Sequence, residues 1–255
     1  MFFFTQKKEP IYCLMVTGKD DSRIKMARTS INNFINQTYE NKYLVIVNHG
    51  KQNVISHSVR KHLGNNITEV IVDKKNKTLG ELRNISIKYI PKDAVWCCWD
   101  DDDIRSPEYL SILYKHLSNG SPNTKAVVIK NRIDFNIKKN TAWKTSLDTG
   151  FYWYMMRNIP EFRYTHINTK EDMLIHKNLT RLGNNSLQTI DNDPFLYIRI
   201  IHGGNTSTYV DPDQTHTKTH LLHTLHEEKL TTQELEKTRK LCNIEVKNVP
   251  TSWTN

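Results

Sequence analysis

The chain has 255 residues, of which 37% are hydrophobic and 25% charged, and it carries a net charge of +9. That is enough for one sizeable α/β domain, or one domain with a small appendage, and no stretch approaches the roughly 20 apolar residues of a membrane-spanning helix. The positive balance suggests an anionic partner, but the basic residues are scattered and give nucleic acid no platform.

In chain order, Met1-Phe2-Phe3-Phe4-Thr5-Gln6-Lys7-Lys8 is too short an apolar run for a signal peptide. Ile11–Thr17 reads as an apolar strand, and 22–37 as a helix with Ile24, Ala27, Ile31, Phe34 and Ile35 on one face. A strand is expected over 43–47, a helix over 54–63 and a third strand over 67–72. A helix over 79–90 turns Leu79, Leu82, Ile85 and Tyr89 inward, and a strand over 95–99 and a helix over 107–117 follow. Continuous apolar strands separated by helices predict a mostly parallel sheet covered on both faces. The second half is less regular. Strands are expected over 126–135, 150–157 and 195–201, a helix over 170–182, and one or two polar helices over 215–242. The simplest organisation is a single domain over 1–255. A nucleotide-binding half covers about 10–125, an acceptor-side half about 126–210, and a C-terminal helical extension about 211–255.

Cys13, Cys97, Cys98 and Cys242 form neither a CxxC pair nor a zinc spacing. Reduced thiols in the cytoplasm are the expectation, so triplets such as Asn36-Gln37-Thr38 reflect Asn richness and not glycosylation. His216, His220, His223 and His226 recur at near-helical spacing, but no carboxylate or cysteine pattern supports zinc.

The strand Val95-Trp96-Cys97-Cys98-Trp99 empties into Asp100-Asp101-Asp102-Asp103. Four adjacent carboxylates repel one another unless a cation sits among them. Mg²⁺ or Mn²⁺ is the usual answer, since hard cations take oxygen ligands and keep positions open for phosphate. Open α/β sheets also bind ligands beyond the carboxyl ends of their strands. The plainer alternative is an acidic turn ahead of a helix, with Ser106 as N-cap and Pro107 at N1.

Three segments extend this pattern. Ser30-Ile31-Asn32-Asn33-Phe34-Ile35-Asn36-Gln37-Thr38-Tyr39 precedes the second strand. Leu79-Gly80-Glu81-Leu82-Arg83-Asn84 precedes the acidic run, which is trailed by Pro107-Glu108-Tyr109-Leu110. Lys170-Glu171-Asp172-Met173 follows. Taken in this order over roughly 11–205, they resemble the family 2 glycosyltransferases with the Rossmann-like GT-A fold. In the best register the resemblance implies that Asp102 binds the metal, while Asp100 or Asp101 contacts the ribose or completes the metal shell. Arg83 falls where the family keeps a basic residue near the nucleotide. The chain departs from the family at Asn48-His49-Gly50-Lys51, where Asp-Asp-Gly-Ser is common, and at the turn Thr17-Gly18-Lys19-Asp20. Asn48 is left to meet the base edge, and Thr17, Gly18 and Lys19 to let backbone approach the base. Asp73 is a further candidate for a base or ribose contact.

Asp172 is the candidate general base, with Glu171 raising its pKa or binding the acceptor. His202, at the end of a strand and before Gly203-Gly204, is a candidate metal or diphosphate ligand. Trp143, Tyr152, Trp153 and Tyr154 are candidates for stacking on an acceptor sugar, with core packing as the alternative. The expected activity is metal-dependent inverting transfer of a sugar from a nucleotide-sugar, a UDP-sugar first among them. The acceptor is a glycan, a protein or a lipid-linked sugar, the last reached by peripheral membrane contact. The alternatives are a sugar nucleotidyltransferase and a non-enzymatic basic nucleic-acid-binding module.

Overall fold

The computed structural model describes residues 8–18, 21–72, 77–151, 153–183, 185–205, 219–220 and 223–247. A first sheet of seven strands has the order β10-β6-β9-β4-β1-β2-β3. Its centre is β1 (Ile11–Thr17), paired in parallel with β2 (Lys42–Asn48) on one side and β4 (Val95–Cys98) on the other. β3 (Ile67–Ile71) extends the sheet in parallel. β9 (Met155–Arg157) lies antiparallel between β4 and β6 (Ala126–Ile129), and β10 (Leu187–Ile190) runs parallel to β6. The β4 burial pattern is unbroken, as a strand covered on both faces requires. α1 (Asp21–Ile35) sets Ala27, Ile31 and Phe34 into the core, and α4 (Tyr109–Asn119) sets Tyr109, Leu110, Leu113 and Leu117 there. α2 (His57–Leu63) is shorter than its apolar run suggests, because Ser56 caps its start. α3 (Leu79–Ile87) begins in a capping box between Thr78 and Glu81. It ends before Tyr89, which is 50% exposed and not inward as its spacing suggests.

A second sheet has the order β12-β13-β8-β7-β11-β5. The apolar run over 126–135 is two strands. After β6 the chain changes sheets and continues as β7 (Asn131–Asn136). The Asn192 side chain forms this joint, accepting from the backbone N–H groups of Lys130 and Asn131 at 3.0 Å each and donating to the Asn131 carbonyl. β7 pairs with β8 (Thr141–Leu147) antiparallel and with β11 (Tyr197–Ile201) in parallel. Two residues after the acidic run, β5 (Ile104–Arg105), close the far edge against β11. α5 (Met173–Arg181) buries Ile175 and Leu179 against the first sheet.

The C-terminal region departs from expectation. β12 (Thr219–His220) and β13 (His223–Lys229) form an antiparallel pair, with β13 laid along β8, and among the described residues there only α6 (Thr232–Lys247) is helical. An open edge on β8 outweighs the polar, helix-like spacing. The helix starts only where Thr231 and Glu234 form a reciprocal cap. His220 lies in β12 and His223 and His226 in β13, so the near-helical spacing is not that of a helix; His216 lies outside the described residues. Cys13, Cys97 and Cys98 are buried thiols. Among the described residues no helix is long and apolar enough to cross a membrane.

Candidate active site

The carboxyl ends of β1, β2 and β4 converge on the acidic run, and each of its four carboxylates has a different setting. Asp100 accepts from Arg83 Nη2 at 3.0 Å and from the Trp153 indole N–H at 2.6 Å. Asp101, 5% exposed, accepts from the Thr17 hydroxyl at 2.6 Å and from Arg23 Nη1 at 2.8 Å. Asp102 accepts from the same Arg23 nitrogen at 2.8 Å, and its Oδ2 faces His202 Nε2 at 3.2 Å. Asp103 accepts from the Tyr197 hydroxyl and from the Ile200 backbone N–H.

These settings divide the run electrostatically. Burial pushes the Asp101 carboxyl up to about 7, helped by the Asp102 charge and opposed by Arg23 and Thr17. Burial also pushes Asp103 up to about 7, helped by Asp102 and Asp100. Burial acts on Asp102 in the same direction, but the His202 hydrogen bond and Arg23 outweigh it and hold its pKa below the usual carboxylate value. Asp102 is therefore the firmly ionised centre of the run.

The turn is braced from behind. The Gln37 amide donates to the Ser106 carbonyl at 2.7 Å and accepts from the Leu110 N–H at 3.0 Å, while Asn33 accepts from the Arg105 N–H at 2.7 Å. The buried Arg105 guanidinium lies 4.3 Å from the Trp99 ring centroid and 4.9 Å from that of Tyr197. Trp153 stacks on Tyr197 with centroids 4.6 Å apart, which aims its N–H at Asp100. Trp143 and Tyr154 are buried core residues, and Tyr152 lies outside the described residues.

Arg83 joins the run to the second acidic pair. Its Nη2 meets Asp100, and its Nε forms an ion pair with Glu171 at 3.2 Å. Burial works against its charge, but Asp100, with Glu171 adding to it, keeps the guanidinium firmly protonated. Glu171 is buried, and its carboxyl is raised by burial against the pull of Arg83. Asp172 stands at the N-cap position of α5, where its side chain caps nothing. Burial raises its pKa as well, again opposed by Arg83. Lys170, just before the pair, is held at φ +61, a conformation that L-residues seldom adopt and that clusters at functional sites.

The remaining candidates line the β1 and β2 ends. Gly18 has φ +109, and a Cβ there would meet the Gly50 backbone nitrogen at 2.2 Å, so no other residue lets these two turns approach so closely. Asn48 is fully buried. It donates to the Gln52 carbonyl and to Glu69, and it accepts from the Gly50 N–H. It thus holds the 49–52 turn from inside. Lys19 and Asp73 lie outside the described residues.

At His202, the Gly204 N–H donates to Nδ1 at 3.2 Å, which leaves Nε2 as the N–H of the neutral ring, pointing at Asp102. The donor chemistry fits a divalent cation. Two neighbouring ligands of an octahedral ion with bonds of about 2.1 Å stand about 3 Å apart, and Asp102 Oδ2 and His202 Nε2 are 3.2 Å apart. An oxygen beside an imidazole nitrogen suits Mn²⁺. Among the described residues no three His, Cys, Asp or Glu side chains form a ready cage; the Arg23 guanidinium takes up the space between Asp101 and Asp102. Sequence reasoning missed Arg23. Nothing in the pattern of α1 separates it from a surface residue, and its partners lie 78 and 79 positions away.

The family model described as Glycosyl transferase family 2 matches residues 22–182. No curated protein matches the chain. Among solved structures, Staphylococcus aureus TarS 1-349 in complex with UDP-GlcNAc superposes with a TM-score of 0.58 at 13% identity, covering 94% of this chain and 67% of that one. TarS 1-349 without a named ligand gives 0.57 at 13% identity, with 75% and 60% covered. The mannosyltransferase PcManGT from Pyrobaculum calidifontis, in complex with GDP-Man and Mn²⁺, gives 0.55 at 11% identity, with 76% and 57% covered. The chain therefore spans about 60% of the length of the TarS 1-349 chain it matches. At these identities the likeness is one of fold.

Proposed function

The chain belongs to glycosyl transferase family 2, and from that premise we propose that it moves a sugar from a nucleotide-sugar, a UDP-sugar first, to a hydroxyl acceptor with inversion. Family membership sets aside the nucleotidyltransferase and nucleic-acid readings. The observation that carries the proposal is the Arg83 bridge, 3.0 Å to Asp100 and 3.2 Å to Glu171. It brings a donor-side acidic run and a second acidic pair to one place. That is what an in-line displacement needs, with the leaving group on one side and the base on the other.

In this reading residues of about 10–125 hold the donor and those of about 126–210 the acceptor. Thr17 and Gly18 shape the wall against the base. Asn48 contributes by fixing the 49–52 turn. Asp100 and Asp101 face the ribose or support the cation site. Asp102 and His202 would hold a Mn²⁺ or Mg²⁺ ion, which supplies positive charge to the leaving diphosphate. To bind a cation through Nε2, His202 would take the other neutral tautomer, with its ring proton on Nδ1 and the Gly204 N–H contact given up.

Asp172 takes the acceptor hydroxyl proton as the oxygen attacks the anomeric carbon. Its raised pKa makes it a stronger base than an exposed aspartate. Glu171, tied to Arg83, is held back from that role and fixes the start of α5. The UDP-GlcNAc of the TarS complex and the GDP-Man and Mn²⁺ of the PcManGT complex support a nucleotide-sugar donor and a divalent ion.

The test is thermal unfolding of the chain with a panel of nucleotides and nucleotide-sugars, with and without Mn²⁺. A ligand at about 100 times its Kd adds roughly 2.7 kcal/mol. A Mn²⁺-dependent rise of roughly 5–10 °C with a UDP-sugar is expected, and Asp102→Asn should abolish it. A shift that survives Asp102→Asn moves the metal site elsewhere, and no shift with any nucleotide overturns the reading.

A further inference from the structure

Arg23 is the one member of the site that the donor-and-base scheme leaves without a role. Its Nη1 donates to Asp101 Oδ1 and to Asp102 Oδ2, at 2.8 Å in both cases, and its Nη2 reaches the Gly204 carbonyl at 3.2 Å. The side chain is 19% exposed, so the contact is a built part of the site and not a surface pairing. Asp102 Oδ2 is also the oxygen that faces His202 Nε2. The guanidinium therefore caps the same oxygen that, with His202, makes the best pair of donors for a divalent ion.

Charge explains why a cation rests there. Asp100, Asp101, Asp102, Asp103, Glu171 and Asp172 surround three guanidiniums, those of Arg23, Arg83 and Arg105. Arg83 is engaged by Asp100 and Glu171, and Arg105 is stacked behind the run. Arg23 alone of the three touches Asp101 and Asp102. Two adjacent buried carboxylates with no cation between them would repel each other. A guanidinium also cannot be discharged by losing a proton, so this contact opens only by rotation of the side chain.

We propose that Arg23 is a resident cation that a divalent metal must displace, so that it sets the metal affinity of the site. Resting on the nucleotide-sugar reading above, this deepens it. A guanidinium at 2.8 Å occupies one lone pair of Asp102 Oδ2 and sets a fixed positive charge beside the place a metal ion would take, so the two compete. The measured metal affinity is then the intrinsic one reduced by the stability of the Arg23 contact, as for any equilibrium in which the binding-competent state is a minor one. Arg23 is thus a positioning residue that tunes the site.

The experiment is titration of Mn²⁺ alone into the full chain by calorimetry, for the wild type, Arg23→Gln and Arg23→Lys, with Asp102→Asn confirming the site measured. Removing the competing charge should tighten Mn²⁺ binding by about tenfold or more, within the roughly 5–150-fold range of such couplings. Arg23→Lys keeps the charge but loses the second nitrogen that ties the side chain to the Gly204 carbonyl, so it is more easily displaced and should bind Mn²⁺ severalfold tighter than the wild type. A structural role alone would weaken metal binding or leave it unchanged, so equal or weaker binding in a folded Arg23→Gln chain overturns the proposal. If that variant does not fold, Arg23→Lys decides by the same criterion. Adding UDP to the wild type with Mn²⁺ separates the two failures. Unchanged Mn²⁺ affinity in the variants with UDP binding intact removes only the role of Arg23, whereas no UDP binding by the wild type removes the donor reading beneath it.

Discussion

Gly80→Ala gives the sharpest test of how α3 sets the second acidic pair. In an ordinary helix this change stabilises by roughly 0.5–1 kcal/mol, because alanine loses less chain entropy on folding. Here the added Cβ would sit 1.7 Å from the Thr165 carbonyl oxygen and 3.2 Å from the Glu171 Cβ. Contacts under 3.0 Å are essentially never seen, so the 165–171 turn must retreat by about 1.3 Å. The turn cannot retreat freely, since the Gly80 N–H donates to the Ile167 carbonyl at 3.1 Å and the Thr165 N–H to the Glu171 carbonyl at 3.0 Å. Overpacking of this kind costs about 1–3 kcal/mol, or roughly 2–10 °C in midpoint for a chain of this size. A displacement of about 1 Å at the reacting groups costs about 10²-fold in rate. The assay is donor Kd beside kcat. Turnover should fall about 10²-fold while donor affinity stays within about twofold, because the β1 and β2 ends are untouched. A stabilised variant with normal turnover would refute the reasoning outright, and an equal loss in donor affinity would refute the division between donor and base sides.

Two further outcomes follow from the carboxylates. Asp172→Asn should leave the nucleotide-dependent thermal shift intact and lower turnover by about 10²-fold or more; normal turnover removes Asp172 as the base. Asp101 and Asp103, both near 7 in the folded protein against about 3.9 unfolded, bind protons more tightly when folded. Their contribution is fully present below about pH 4 and is lost as pH rises through 7. In chelator, each therefore stabilises the folded protein by about 2 kcal/mol more at pH 5.5 than at pH 8, and the unfolding midpoint should be higher at pH 5.5. Asp103→Asn should shrink that difference, and a variant with the same pH profile as the wild type contradicts the buried, raised setting of Asp103.

Much of the first sheet was legible because its strands obey one simple rule. Ile11–Thr17 is read from sequence with the bounds it has in space, since a strand covered on both faces must be apolar throughout. The acidic run, Arg83 and Glu171-Asp172 were singled out from order and residue type, and the structure joins Asp100, Arg83 and Glu171 in one ion-pair chain. The second sheet was not legible. β7 and β6 share one apolar run, and only Asn192, some sixty positions later, shows where the chain changes sheets. β13 carries the composition of a polar helix and is a strand because β8 offers it an edge. Arg23 escaped for the same reason, and so did the bond of Trp153, read only as a stacking candidate, to Asp100, since each is defined by a partner far along the chain.

The wide separation of these partners has a consequence for the growing chain on the ribosome. Thr17 waits 84 residues for Asp101, and Arg23 waits 78 and 79 residues for Asp101 and Asp102, whereas Gly204 lies 181 residues beyond Arg23. Contacts closing such long loops form slowly, and segments emerging first tend to organise first. The acidic turn can therefore gain its arginine once β4 has emerged, roughly a hundred residues before His202 and Gly204 are made. During that interval the nascent protein can carry its four-carboxylate run partly neutralised by Arg23 and Arg83, before Glu171, Asp172 and the last turn of the site are made.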